Sequence, residues 1–319
     1  MSNTNIDRNH AIDSLKFICA ILVIFIHCEY PYKEKLLPIT DVAVPLFFAI
    51  SGYFVFGLKR SWGRIERIVK IFLWSAILYL MKTEVFQLLI NHNIWLPTWK
   101  NILDFIIFND VVFSIHLWYL PAYIYILLIA YMIDKCNIWH LTCCFIMPLL
   151  LIGCFIKYSI LDICPKDIQY YRNAYFYGLP YFILGGFIKK YISAKIVKSL
   201  RLVILPIIAG LILIRYELIG VNLVIIILKE INLLLLVICI LSFTVISRQT
   251  NCTILSKLGY KYSLYIYIFH LIIMQVCETI VKYIPEGLQY IYMYINPLVV
   301  LSLSIVFTRF LIKNRIINT

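Results

Sequence analysis

Charge is scarce in this chain. Asp, Glu, Lys and Arg make up 14% of its 319 residues, against about 25% in soluble globular domains, so an ordinary soluble enzyme is excluded. Glycine and proline are also few, 11 of each. With so much Ile, Leu, Phe and Tyr, that excludes collagen-like repeats and a disordered chain. The ten cysteines include no CxxC pair. Cys19, Cys143, Cys144, Cys154, Cys239 and Cys277 lie in apolar segments and read as small hydrophobes, so no metal site is expected. No Walker loop, GxGxxG, HExxH or GxSxG pattern occurs. Low-complexity linkers are missing, as is any internal repeat of the kind that marks many secondary transporters.

What is abundant is apolar sequence in long runs. The chain is 63% hydrophobic with a mean hydropathy of +0.90. Its runs of about 17 to 25 residues suffice to cross a hydrocarbon core about 30 Å thick as helix. Windows near 12–28, 41–58, 69–90, 114–133, 138–156, 174–188, 199–214, 223–246, 262–280 and 291–311 predict an all-α polytopic membrane protein, a single 1–319 domain of about ten transmembrane helices. Met1 to Ala11 is polar, and no small-residue cleavage site comes after Ile12 to Cys28, so this first run is expected to stay as a helix. Between the predicted spans, Trp95, Pro97, Trp99 and the short apolar stretch Ile102 to Phe108 suit the membrane interface.

With the N-terminus inside, Lys and Arg favour the cytoplasmic loops by about two to one, which predicts both termini cytoplasmic. The net charge of +13 is then largely an orientation signal. It gives a nucleic-acid partner no support.

Ionisable residues inside a membrane cost roughly 2.5 to 3.5 kcal/mol each on insertion scales and are functional candidates by default. The first span carries Asp13, Lys16 and His27. Eleven helical steps return to within about 20° of the same direction, so Lys16 and His27 share a face about 16 Å apart, with Asp13 within about 40° of it. One reading has Lys16 snorkel to the headgroups while Asp13 pairs with it at i, i+3 and His27 marks the boundary. The other makes His27 a general base, since an imidazole exchanges protons near neutral pH.

In the second span, Pro45, Ser51 and Gly52 permit a kink or close helix approach. Lys59, Arg60, Arg64, Arg67 and Lys70 come directly after it, with Arg60, Arg64 and Arg67 on one helical face. Such a cluster either anchors on anionic lipid or binds the phosphates of a nucleotide-bearing donor. His116 opens the fourth span in Ser-Ile-His-Leu-Trp118, and His270 lies in the ninth; two or three histidines converging from different helices would mark a site. Lys229 and Glu230, adjacent and facing apart, are each expected to find a partner on another helix.

Taken together, Arg8-Asn9-His10-Ala11-Ile12-Asp13-Ser14-Leu15-Lys16 with His27, and Val44-Pro45-Leu46-Phe47-Phe48-Ala49-Ile50-Ser51-Gly52-Tyr53, resemble the integral-membrane acyltransferase family three, whose members O-acylate surface polysaccharides and related glycans. His116-Leu117-Trp118-Tyr119-Leu120, Tyr177-Gly178-Leu179-Pro180-Tyr181-Phe182-Ile183-Leu184-Gly185 and Ser263-Leu264-Tyr265-Ile266-Tyr267-Ile268-Phe269-His270 extend the match in the family's order over about 80% of the chain. The family signature is an Arg, ten residues and a His. Here Lys16 stands in the Arg position, keeping the charge and losing the bidentate fork. Lys there is similar to the subgroup of membrane domains attached to vancomycin-resistance serine racemases.

The resemblance implies acetyl-CoA or another acyl-CoA as donor, arriving from the cytoplasm, with no tightly bound cofactor. It implies His27 as catalytic, with Lys16 and Asp13 beside it, and Arg60, Arg64 and Arg67 on the CoA phosphates. Ser51, His116, Trp118 and His270 would line the site. The implied acceptor is a cell-surface or lipid-linked glycan, reached from a bacterial inner membrane through contact with membrane lipid. A transporter or exporter of a small metabolite or glycan is the alternative class, and a noncatalytic partner in glycan assembly is a third.

Overall fold

A computed structural model of the chain describes residues 9–57, 62–158, 167–192, 201–218, 220, 222–247 and 251–314. Among them every regular element is helical. In chain order they are α1 (His10–His27), α2 (Lys33–Thr40), α3 (Ala43–Val55), α4 (Trp62–Phe86), α5 (Trp99–Phe108), α6 (Tyr119–Cys136), α7 (Trp139–Thr142), α8 (Ile146–Lys157), α9 (Leu179–Tyr191), α10 (Arg201–Glu217), α11 (Leu223–Ile246), α12 (Ile254–Val281) and α13 (Glu286–Lys313). A tighter 3₁₀ turn, Ile115–Trp118, leads into α6, and a wide π turn, Ala174–Gly178, leads into α9.

Local chemistry sets several of these boundaries. The Asn9 side chain accepts from the Ala11 N–H to start α1. Reciprocal Thr–Asn and Thr–Ser capping boxes, Thr98 with Asn101 and Thr253 with Ser256, start α5 and α12. Each satisfies amide groups that a helix N-terminus leaves bare, which matters most where water is scarce. Asn109 and Asn137, both at positive φ, stop α5 and α6 in the left-handed conformation that asparagine tolerates better than most residues.

Seven described segments are long and apolar enough to cross a membrane: His10–His27, Lys33–Val55, Ile115–Cys136, Trp139–Lys157, Leu223–Ile246, Ile254–Val281 and Glu286–Lys313. They coincide with seven of the ten predicted windows. The windows 69–90, 174–188 and 199–214 fall on α4, the α9 region and α10, which are helical but do not combine that length with that apolarity. The chain is a helical integral membrane protein.

The chain divides into two compact units. The first comprises Met1–Ile50, Tyr191–Glu217 and Leu235–Thr319. Its centre is the pairing of α1 with α12, which run parallel: Asp13 meets Gly259 near one end and His27 meets His270 near the other. The helix α13 packs on α12, with Phe269 edge-on to Phe307, and Asn296 Nδ2 donates to the Glu29 carbonyl just beyond α1. On α10, Arg215 pairs with Asp41 at 3.2 Å and the Tyr216 hydroxyl donates to the Lys35 carbonyl, which ties that helix to α2.

The second unit comprises Ser51–Lys190 and Leu218–Leu234. Two glycines allow unusually close packing within it. A Cβ on Gly52 would fall 1.8 Å from the Phe182 carbonyl oxygen, and one on Gly186 would fall 3.1 Å from the Phe56 ring. The end of α3 is thereby pressed against α9, the close approach that a small residue in the second span predicts. Of the adjacent pair on α11, Glu230 does reach another helix, at 3.9 Å from Lys157 of α8. The Lys229 ammonium donates to the Gly220 carbonyl in the loop before its own helix at 2.9 Å.

Candidate functional site

In the first unit, α1 presents Asp13, Lys16 and His27 as the helical repeat requires. Asp13 is buried, and Lys16 Nζ lies 3.1 Å from its Oδ1, the i, i+3 pair expected of these two. The Lys16 side chain keeps 25% of its surface exposed. Eleven residues further on, His27 is half-buried and its ring centroid lies 5.1 Å from that of His270, the planes tilted by 46°.

His270 is fully buried. Its Nδ1 is 2.7 Å from the Tyr267 carbonyl and 3.2 Å from that of Ile266. A carbonyl only accepts, so Nδ1 carries a proton. Two imidazoles from different helices thus lie in ring contact, one of them oriented by backbone carbonyls.

Two further groups of predicted residues fall in the second unit. His116 and Trp118, both buried, lie on the 3₁₀ turn before α6. His116 Nδ1 is 2.9 Å from Ser114 Oγ, and the Tyr79 ring stands edge-on at 4.9 Å. The Arg172 guanidinium lies 5.3 Å from the Trp118 ring centre, in cation–π range. Asn109 holds this region together. Its Nδ2 donates to the Trp118 carbonyl at 3.4 Å and its Oδ1 accepts from the Ala174 N–H at 2.8 Å. Beside it, burial and then the charge of Asp104 hold the Asp110 carboxyl above the usual carboxylate range, while Arg172 pulls the other way.

The third group gathers at the start of α4 and the end of α9. The Tyr123 hydroxyl is within hydrogen-bonding reach of both Ser51 and Arg64. Lys189 Nζ donates to the Phe56 carbonyl at 2.7 Å and lies 6.0 Å from the Tyr53 ring centre. Burial, and then the Arg64 guanidinium, push the Lys189 ammonium below the usual lysine range. Arg67 is exposed on α4, whereas Lys70 is occupied by Glu66 at 2.6 Å. Lys59 and Arg60 lie outside the described residues.

Thus His27 meets His270, Asp13 meets Lys16, Ser51 shares Tyr123 with Arg64, and His116 and Trp118 occupy one buried turn. Lys189, Tyr123, Asn109 and Arg172 carry no sequence signal that singles them out. No spacing rule links residues 125 positions apart, as Arg64 and Lys189 are, and a lysine after an apolar run reads as an ordinary boundary charge. No group of three or more His, Cys, Asp or Glu able to hold a metal ion occurs among the described residues.

Residues 9–312 match the family model described as an acyltransferase domain. A serine/alanine racemase of Enterococcus gallinarum is 30% identical over 134 residues, which cover 37% of this chain and 18% of that protein. Amino-acid racemases of Enterococcus faecalis are 28% identical over 200 residues, 56% of this chain and 27% of the relative, and 30% identical over 163 residues, 46% and 22% respectively. The matched stretches therefore span about a fifth to a quarter of these relatives. No solved structure matches.

Proposed function

The chain belongs to the acyltransferase family three, and from that premise we propose that it is a membrane-embedded O-acyltransferase. It moves an acyl group, acetyl in the simplest case, from cytoplasmic acyl-CoA to a hydroxyl of a cell-surface or lipid-linked glycan at a bacterial inner membrane. The racemase relatives agree with the subgroup to which Lys16 points.

The observation that carries this reading is the meeting of His27 with His270 at 5.1 Å. His27 takes the proton of the acceptor hydroxyl as its oxygen attacks the thioester carbonyl. The new C–O bond forms, the C–S bond breaks, and the departing CoA thiolate receives a proton. His270, protonated on Nδ1 and anchored to Tyr267, offers its other nitrogen as an acceptor that stabilises the transient His27 imidazolium. Lys16, held by Asp13 about 16 Å along the same helix, lines the way for the extended pantetheine arm. Arg64 and Arg67 bind the CoA phosphates.

Label from radiolabelled acetyl-CoA is traced into envelope glycans in membranes carrying wild type, His27→Ala, His270→Phe and Arg67→Ala. Transfer is expected in wild type and lost in His27→Ala at equal protein level. His270→Phe is expected to retain about a tenth to a hundredth of the rate with unchanged KM for acetyl-CoA, since it removes the acceptor nitrogen, together with the Nδ1–H that anchors the ring, and leaves the donor site in place. Full turnover by His27→Ala would sink the mechanism.

A second reading draws on the names of the relatives, a serine/alanine racemase and amino-acid racemases. In it the chain moves a small metabolite across the membrane. Counterflow of labelled serine or alanine in vesicles, with no acyl transfer from acetyl- or succinyl-CoA to a full panel of envelope acceptors, would favour it.

A further inference from the structure

His27 is the last residue of α1, and the residue after it, Cys28, is already extended. Backbone at a helix end has lost part of its hydrogen-bond ladder and opens more readily than the middle. A base placed there needs a second hold if its ring is to stay 5.1 Å from that of His270. At its opposite end α1 has such a hold, the tight packing of Asp13 on Gly259.

At the His27 end the hold comes from α13. Asn296 is only 3% exposed, and its Nδ2 donates at 3.2 Å to the carbonyl of Glu29, two residues after His27. Its Oδ1 accepts at 2.8 Å from the hydroxyl of Tyr292, one turn earlier on the same face of α13. Because the Glu29 carbonyl can only accept, the amide nitrogen must face it, which leaves the oxygen for Tyr292. The Cys277 thiol of α12 lies within hydrogen-bonding reach of that same hydroxyl. An amide buried in a membrane-spanning helix costs free energy unless both its ends are answered. Ser302 of the same helix spends its hydroxyl on its own backbone, at the Leu298 carbonyl. Asn296 instead reaches the segment that leaves α1.

We infer that Asn296 is a positioning residue for His27, with Tyr292 orienting its amide. It acts through backbone: the exit of α1 is held to α13, and the His27 ring thereby keeps its place against His270. This deepens the transfer mechanism above and rests on it for the effect on rate, whereas the placement of the ring is independent of any reaction.

The test reads both parts. Protein carrying 13C at histidine Cε1 is compared by NMR in nanodiscs as wild type, Asn296→Leu, Tyr292→Phe and Ser302→Ala, with His27→Ala and His116→Gln assigning two of the signals. Asn296→Leu puts an apolar group of the same branching into a membrane helix, which tolerates leucine well. It is expected to shift or broaden the His27 signal and leave that of His116 in place. Tyr292→Phe should do so to a smaller extent, and Ser302→Ala not at all. In transfer from labelled acetyl-CoA, Asn296→Leu is expected to lower kcat by about ten- to a hundredfold at unchanged KM for acetyl-CoA, the scale of a misplaced group. Tyr292→Phe should lower it by about two- to tenfold, the scale of one neutral hydrogen bond. An unmoved His27 signal in Asn296→Leu, or a His116 signal that moves with it, overturns the inference and leaves the transfer reading as it was. A displaced His27 signal at full kcat overturns it as well. If the signal is displaced but wild type transfers nothing, the placement is supported and the transfer reading fails.

Discussion

Gly259 and Asp13 approach so closely that a Cβ on the glycine would fall 1.8 Å from the Asp13 carbonyl oxygen. Real side chains do not sit at that distance, so any other residue at 259 forces α12 away from α1. The same pairing sets His270 beside His27, and the glycine thus acts on the imidazoles through the helices that carry them.

Gly259→Ala is expected to destabilise the protein by about 1 to 3 kcal/mol or more, the cost of overpacking. The measurement is thermal unfolding in detergent. Gly210→Ala is the control, since nothing lies within 4 Å of the added methyl in the middle of α10. It should be neutral or stabilising by up to about 1 kcal/mol, from helix propensity. Equal melting of both variants would contradict the close approach.

The Asp13–Lys16 pair predicts an asymmetry. Lys16→Ala takes the Lys16 ammonium away from the buried Asp13 carboxylate, whereas Asp13→Ala leaves a Lys16 that already keeps a quarter of its surface exposed. Lys16→Ala is therefore expected to be the more damaging of the two, since it weakens the pairing of the more deeply buried charge. Lys16→Arg should recover stability, and Asp13→Asn with Lys16→Met should melt above Lys16→Ala alone. Stability curves for the four variants settle the order.

Asn109 combines a positive φ of 54° with two hydrogen bonds from its buried side chain. Asn109→Ala loses both bonds and adds left-handed strain, so a cost of about 2 to 4 kcal/mol is expected. Asn109→Gly loses the bonds and relieves the strain, and should melt about 1 kcal/mol higher than the alanine variant. The reverse order would show that the backbone conformation contributes nothing.

Asp110 predicts a pH dependence. Its carboxyl is held above the usual range by burial and by Asp104. A raised folded-state value means that the protonated form suits the fold, so this group's contribution is fully present below about pH 4, its unfolded range, and declines as pH rises through the folded value. Asp110→Asn, which mimics the protonated acid, should raise the melting temperature over wild type at pH 7 and lose that advantage toward pH 4. Parallel melting curves across pH would exclude the effect.

By itself the sequence determined those features that neighbours along the chain set. Scarce charge and long apolar runs require a helical membrane protein, because helices satisfy their own backbone where water is absent. The 3.6-residue repeat puts Lys16 and His27 on one face and Asp13 within reach of Lys16. Small residues in the second span announce a close approach, without saying to what. Its partner, Phe182, and the partners of His27 and Glu230 were decided only by tertiary structure. So was the bond from the Lys189 ammonium to the Phe56 carbonyl. Local periodicity fixes the direction in which a side chain points on its own helix, but which helix it then faces depends on packing among segments up to 243 positions apart, as His27 and His270 are.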